Sequence, residues 1–134
     1  GGGSTAARIL VVNDDASILE LFRLILEEEG YEVHLSKIAF EEVREVEKLD
    51  PDLIILDIKI GRHNEGLLLL QQLRMYRPTM KIPVLICTAA ISVIREQEEI
   101  LQRKGIPVLY KPFDVDELLH IVQQSLLPSE TKDY

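Results

Sequence analysis

The sequence predicts an α/β fold, a doubly wound parallel sheet of five strands with helices on both faces. Two observations predict it. Short apolar runs alternate with longer segments whose apolar residues recur at helical spacing, so the chain reads as a βα unit repeated five times. The runs are apolar at successive rather than alternate positions. That pattern means burial on both faces, as in a parallel sheet covered on both sides. Right-handed crossovers then leave few topologies.

The first strand, Ile9-Leu10-Val11-Val12, leads to Asn13-Asp14-Asp15. In the helix that follows, Ile18, Leu21, Phe22 and Ile25 fall at helical spacing. Glu27-Glu28-Glu29 reads as its solvated end and Gly30 as its stop. Tyr31 to Leu35 is a short strand with Val33 and Leu35 facing the same way. Phe40 to Leu49 is a short amphipathic helix ended by Pro51. Leu53-Ile54-Ile55-Leu56 is the cleanest buried strand and leads to Asp57. A loop from Gly61 to Gly66 precedes a leucine-rich helix reaching about Tyr76, with Leu67 to Leu70 expected to be buried. Val84-Leu85-Ile86-Cys87 leads to Thr88, and Ile91 to Lys104 is a charged helix stopped by Gly105. Val108-Leu109-Tyr110 leads to Lys111-Pro112. Asp114 is placed to cap the last helix, Val115 to about Leu127, with Glu117 three residues on as in a capping box.

A chain of 134 residues suits one domain with a real core. Residues 1–7 open on Gly1-Gly2-Gly3-Ser4-Thr5, with neither the charged nor the apolar region of a signal peptide. They read as an artificial leader, residues 8–127 as the domain, and 128–134 as a polar tail. The apolar runs are too short to cross a membrane. The net charge of −8 argues against a grip on nucleic acid, which needs clustered Lys and Arg. The single cysteine cannot form an internal disulfide. Cys87 lies inside an apolar run and reads as a buried core thiol, a usage that suits a reducing cytoplasm.

Ligands of such sheets bind at the carboxyl ends of strands, at the switch point, which with the strand order 2-1-3-4-5 lies between the first and third. Those strands end in Asp14-Asp15 and Asp57. Thr88 and Lys111 close the fourth and fifth. Three carboxylates repel strongly unless a cation joins them. Mg²⁺, which keeps waters and takes a few carboxylates plus phosphate oxygens, is the natural solution. A carboxylate can also act as nucleophile and form an aspartyl phosphate. Lys111 could neutralise the attached group and Thr88 could donate to it. Singly, each residue has a blander role: Asp57 or Asp15 as a helix cap, Thr88 as a strand-end hydroxyl, Lys111 as a solvated charge. Their joint placement favours the site. His34, His63 and His120 have no metal-binding spacing and read as structural or surface residues.

At these residues the sequence resembles the receiver domain of two-component response regulators, over residues 8–127. The matching motifs are Asp14-Asp15, Asp57, Thr88-Ala89 and Lys111-Pro112-Phe113. The resemblance implies a flavodoxin-like fold in which Asp57 takes a phosphoryl group from a histidine kinase or phosphotransfer protein. It implies a Mg²⁺ pocket of Asp14, Asp15 and Asp57, with Asp15 the more direct ligand and the Lys59 carbonyl completing the set. Thr88 and Lys111 would bind the phosphoryl oxygens, and the Lys111–Pro112 bond would be cis. The implied protein is a cytoplasmic switch, not a turnover enzyme; it catalyses only its own phosphorylation and dephosphorylation. Its fourth helix, fifth strand and fifth helix would change their preference for a downstream effector or a second copy. No direct contact with nucleic acid or membrane is implied.

The sequence departs from the family in three places. Gly61 stands where most receivers carry proline, and Gly66 opens the third helix one residue later than usual. Val108 occupies the position of an aromatic that switches rotamer. Tyr110 adjoins the lysine, and the expectation is that strand alternation puts it opposite Val108. The aromatic switch is therefore expected to be absent. Two other functions compete with the switch. A phosphatase of the haloacid dehalogenase type needs a second acid two residues after its nucleophile, where Lys59 stands. A receiver-like interaction module working without phosphate is favoured by Val108 and the altered loop, and opposed by the complete set of site residues.

Overall fold

The computed structural model describes residues 6–37, 43–58 and 65–127. β1 (Arg8–Val12), β2 (Glu32–Ser36), β3 (Leu53–Leu56), β4 (Val84–Thr88) and β5 (Val108–Tyr110) form one parallel sheet in the order β2-β1-β3-β4-β5. The parallel pairing is the one the apolar runs predict, and the strand order is the expected 2-1-3-4-5. Alternation along each strand feeds two cores. Ile9, Val11, Leu53, Ile55, Leu85 and Cys87 meet Leu19, Phe22 and Leu26 of α1 (Ala16–Glu28) and Leu118 and Val122 of α6 (Val115–Leu126). On the other face Leu10, Val12, Ile54, Leu56 and Ile86 meet α2 (Val43–Leu49), α3 (Glu65–Met75), α4 (Ile91–Arg95) and α5 (Glu98–Arg103). Each fully buried Leu or Ile contributes about 1.5–3 kcal/mol.

Helix ends follow local chemistry. Gly30 has φ 90° and Gly105 φ 72°, and each begins a left-handed stop. Behind them Tyr31 N–H reaches Leu26 O at 3.2 Å and Ile106 N–H reaches Leu101 O at 2.9 Å, closing the last carbonyls. Asp15 caps α1: its Oδ1 accepts from Ser17 N–H at 2.8 Å and Ile18 N–H at 3.3 Å.

Several expectations change. The helix expected over Ile91–Lys104 is broken at Glu96–Gln97 into α4 and α5. The run Ile91-Ser92-Val93-Ile94 is largely β-branched, and Ala90 at the N-cap offers no side-chain acceptor. Gln97 N–H bonds Ile94 O at 2.8 Å in a tight turn, and Leu101 N–H to Gln97 O at 2.9 Å restarts the helix. Asp114 holds the N-cap position of α6, but its side chain makes no capping bond. The buried stripe of α1 is Leu19, Phe22 and Leu26, while Leu21 is exposed. Leu69 and Leu70 are buried as expected, but Leu68 faces solvent. Tyr110 lies on the same face as Val108, not opposite, because residues two apart on a strand share a side; both pack against the core of Leu56 and Ile86. The expected helix start at Phe40 falls outside the described residues.

Among the described residues, no helix is long and apolar enough to cross a membrane.

Candidate functional site

Register brings the predicted residues to one edge. Val12 pairs with Leu56, and Asp57 N–H continues the ladder to Val12 O at 3.1 Å, so the residues following β1 and β3 lie side by side. Thr88 pairs with Tyr110, and Lys111 N–H bonds Thr88 O at 2.9 Å. The carboxyl ends of β1, β3, β4 and β5 therefore carry Asn13, Asp57, Thr88 and Lys111 in a row.

Asp57 is 9% exposed, and its Oδ2 accepts from Lys111 Nζ at 3.3 Å and from Asn13 Nδ2 at 3.1 Å. A buried carboxylate needs such partners, because desolvation is otherwise costly. Thr88 is fully buried, and its Oγ1 accepts Ala90 N–H at 3.0 Å. The Lys111–Pro112 bond is cis, as the resemblance implies. Two residues on, Phe113 stacks at a tilt on Phe22 of α1, with ring centroids 5.8 Å apart, anchoring the segment that presents the lysine. Burial pushes the Cys87 thiol up to about 12, with the nearby Asp57 charge adding to the shift and Lys111 opposing it. Cys87 is thus the inert core thiol its apolar run implies.

Asp14 and Asp15 are both exposed beside this row. Asp15 Oδ1 is engaged in capping α1. Asn13 was not among the expected site residues, yet its amide reaches Asp57 as Lys111 does. It is 3% exposed, and its Oδ1 accepts Asp15 N–H at 2.9 Å, which turns its amide nitrogen toward Asp57. Its sequence signal is its place as the first polar residue after the β1 run, level with Asp57 across the pair. Lys59, Gly61 and His63 lie outside the described residues.

The donor set bears on Mg²⁺. Among the described residues, no group of three or more His, Cys, Asp or Glu is placed to hold a metal ion. The oxygens at hand are those of a hard site, the carboxylates of Asp57 and the neighbouring Asp14. That suits an ion that keeps most of its waters and takes one or two carboxylates, and does not suit an all-protein cage.

Gly66, the first buried residue of α3, lies against the backbone behind Asp57. Its N–H bonds Ile58 O at 3.1 Å, and a Cβ there would stand 2.1 Å from Asp57 O. Only a residue without a side chain lets α3 approach so closely.

A family model described as the response regulator receiver domain matches residues 9–123. The chain belongs to the response regulator receiver domain family. Among its relatives, the DNA-binding dual master transcriptional regulator RpaA of Synechocystis sp. is 34% identical over 119 residues, covering 89% of this chain and 48% of that protein. The chain spans less than half the length of the first curated relatives it matches. A CheY-like receiver domain protein from Methanospirillum hungatei JF-1 superposes with a TM-score of 0.80 at 30% identity, over 96% of this chain and 100% of that one. The receiver domain of the sensor histidine kinase PA1611 from Pseudomonas aeruginosa PAO1 shares the fold at a TM-score of 0.74 and 23% identity, over 91% of this chain and 98% of its own. That protein holds a magnesium ion in its active-site cleft.

Proposed function

We propose that the chain is a phosphoacceptor switch in which Asp57 takes a phosphoryl group from a histidine kinase or phosphotransfer protein with Mg²⁺. The observation that carries this reading is the convergence of Lys111 and Asn13 on one oxygen of a buried carboxylate, with Thr88 buried at the next strand end. In the transfer a carboxylate oxygen of Asp57 forms a bond to phosphorus while the phosphorus–nitrogen bond of the donor phosphohistidine breaks and its imidazole takes up a proton. Catalysis is positioning and charge stabilisation. Lys111 would neutralise the transferred group, and Thr88 would give up its bond to Ala90 to donate to a phosphoryl oxygen. Mg²⁺, when bound, would neutralise charge on the phosphoryl oxygens. Asp57 and the acidic pair Asp14 and Asp15 would hold it with the Lys59 carbonyl. Because Asp15 caps α1, Asp14 is the better candidate for the direct ligand.

The chain would catalyse only its own phosphorylation and dephosphorylation. Movement of Thr88 would shift a pre-existing equilibrium between two states. Tyr110 supports a route for that shift. It is the register partner of Thr88, and its hydroxyl donates to Glu98 of α5. The surface of α4, α5, β5 and α6 would then change its preference for an effector or a second copy.

Incubation with Mg²⁺ and a small phosphodonor is expected to add the mass of one base-labile phosphoryl group, and Asp57→Asn to abolish the gain. No gain, or a gain that survives the substitution, rejects the reading. Asn13 favours the alternative, an interaction module acting without phosphate, because together with Lys111 it satisfies an oxygen of Asp57 without a metal ion. Beryllofluoride with Mg²⁺ separates the two: amide shifts around Asp57 and Thr88 support the switch, and their absence supports the module.

A further inference from the structure

The opposite end of the sheet carries a groove of about 950 Å³, where β4 and β5 begin at Val84 and beside Pro107. It lies between the connection from α3 to β4, the end of α5 and the last turns of α6. Five basic side chains line it: Arg74, Lys81, Arg103, Lys104 and His120. Among the described residues, no aspartate or glutamate lines it, although the chain as a whole carries a net charge of −8. Such segregation leaves a positive groove on a molecule whose remaining surface is acidic.

Arg74 makes the groove more than a cluster of solvated lysines. It is half-buried, and the one hydrogen bond its guanidinium makes among the described residues is donated to Ile82 O at 2.9 Å. No described carboxylate pairs with it, and burial alone holds its pKa below the ordinary arginine value. Charged groups taken out of water are normally paired, so a half-buried guanidinium without a carboxylate is a place for an external one. Lys81, Lys104 and His120 have no ion pair among the described residues; only Arg103 does, with Glu99 one turn back.

Between the basic residues the lining is mostly apolar, with Met80, Pro83, Val84, Ile121 and Leu127, and takes in the uncharged polar side chains of Gln124 and Ser125. Among the described residues, no aromatic ring lines it for a nucleobase to stack on. The volume is at the upper end for small-ligand cavities, about 300–1,000 Å³, and the groove runs across three elements. We propose that it binds an acidic protein segment in which carboxylates alternate with apolar side chains. The carboxylates face the basic rim and Arg74, and the apolar side chains lie on Pro83, Val84 and Ile121. This site does not depend on phosphorylation of Asp57, which lies at the other end of the strands.

The test is fluorescence polarisation of a fluorescein-labelled peptide of alternating glutamate and leucine, titrated with the full chain at low salt. Saturable binding is expected, with amide shifts at residues 80–84, 103–107 and 120–127. Lys81 and Lys104 are exposed, so Lys81→Glu with Lys104→Glu leaves the fold intact and is expected to weaken binding by about tenfold or more. Lys48→Glu on α2 and Asp57→Asn should leave the affinity unchanged. No binding, equal affinity in the double variant, or tighter binding of a labelled oligothymidylate than of the peptide overturns the proposal.

Discussion

At the scale of single residues, the state of the Asp57 carboxylate depends on a neighbour that is an amide. A carboxylate at position 13 would repel Asp57 at hydrogen-bond distance, whereas Asn13 donates to it while its own oxygen is held by Asp15 N–H. With Lys111 on the same oxygen, the amide thereby satisfies it without a metal ion. Asn13→Asp is expected to destabilise the chain in EDTA by about 1–3 kcal/mol, since it loses a buried hydrogen bond and adds a like charge. Mg²⁺ should restore stability to the variant more than to wild type, because a cation joins the added carboxylate. Urea unfolding with EDTA and with Mg²⁺ measures both effects. A variant as stable as wild type in EDTA would show that the amide does not hold Asp57.

At the scale of elements, α3 is placed by Gly66. In an ordinary helix interior, Ala stabilises relative to Gly by about 0.8–1.0 kcal/mol. Here the added Cβ would stand 2.7 Å from Ile58 Cα and closer still to Asp57 O, backbone atoms that cannot swing aside. Gly66→Ala is therefore expected to destabilise by about 1–3 kcal/mol and to disturb Asp57. A urea midpoint that rises instead would show that α3 can move away at little cost. The break between α4 and α5 is a second element-scale feature. The β-branched start and the absence of a capping side chain weaken this segment as a helix, and the turn at Gln97 sets Glu98 where the Tyr110 hydroxyl reaches it.

For the molecule as a whole, one sheet separates two cores that, among the described residues, share no side chains. Ile9 belongs to the core under α1 and α6, and Ile86 to the core under α2, α3, α4 and α5; both are fully buried. Ile9→Val and Ile86→Val should each cost about 0.5–1.5 kcal/mol. Their effects should add within about 0.5 kcal/mol, since β1 and β4 are separated by β3 and the side chains point to opposite faces. A larger coupling in denaturant melts would mean that strain passes through the sheet.

The order of elements, the parallel sheet, the glycine stops and the placement of Asp57, Thr88 and Lys111 at strand ends were all legible in the sequence. Each rests on a local pattern, either the period of apolar residues or the chemistry of one turn. Tertiary structure alone decided that Asn13 rather than Asp15 touches Asp57, because that contact depends on the register between β1 and β3. The capping of α1 by Asp15, by contrast, is a local contact that the sequence offered among its alternatives. Gathering Arg74, Lys81, Lys104 and His120 around one groove was beyond local pattern, since those residues come from segments far apart in the chain. Periodicity says which side chains are buried; only the pairing of distant strands says which of them meet.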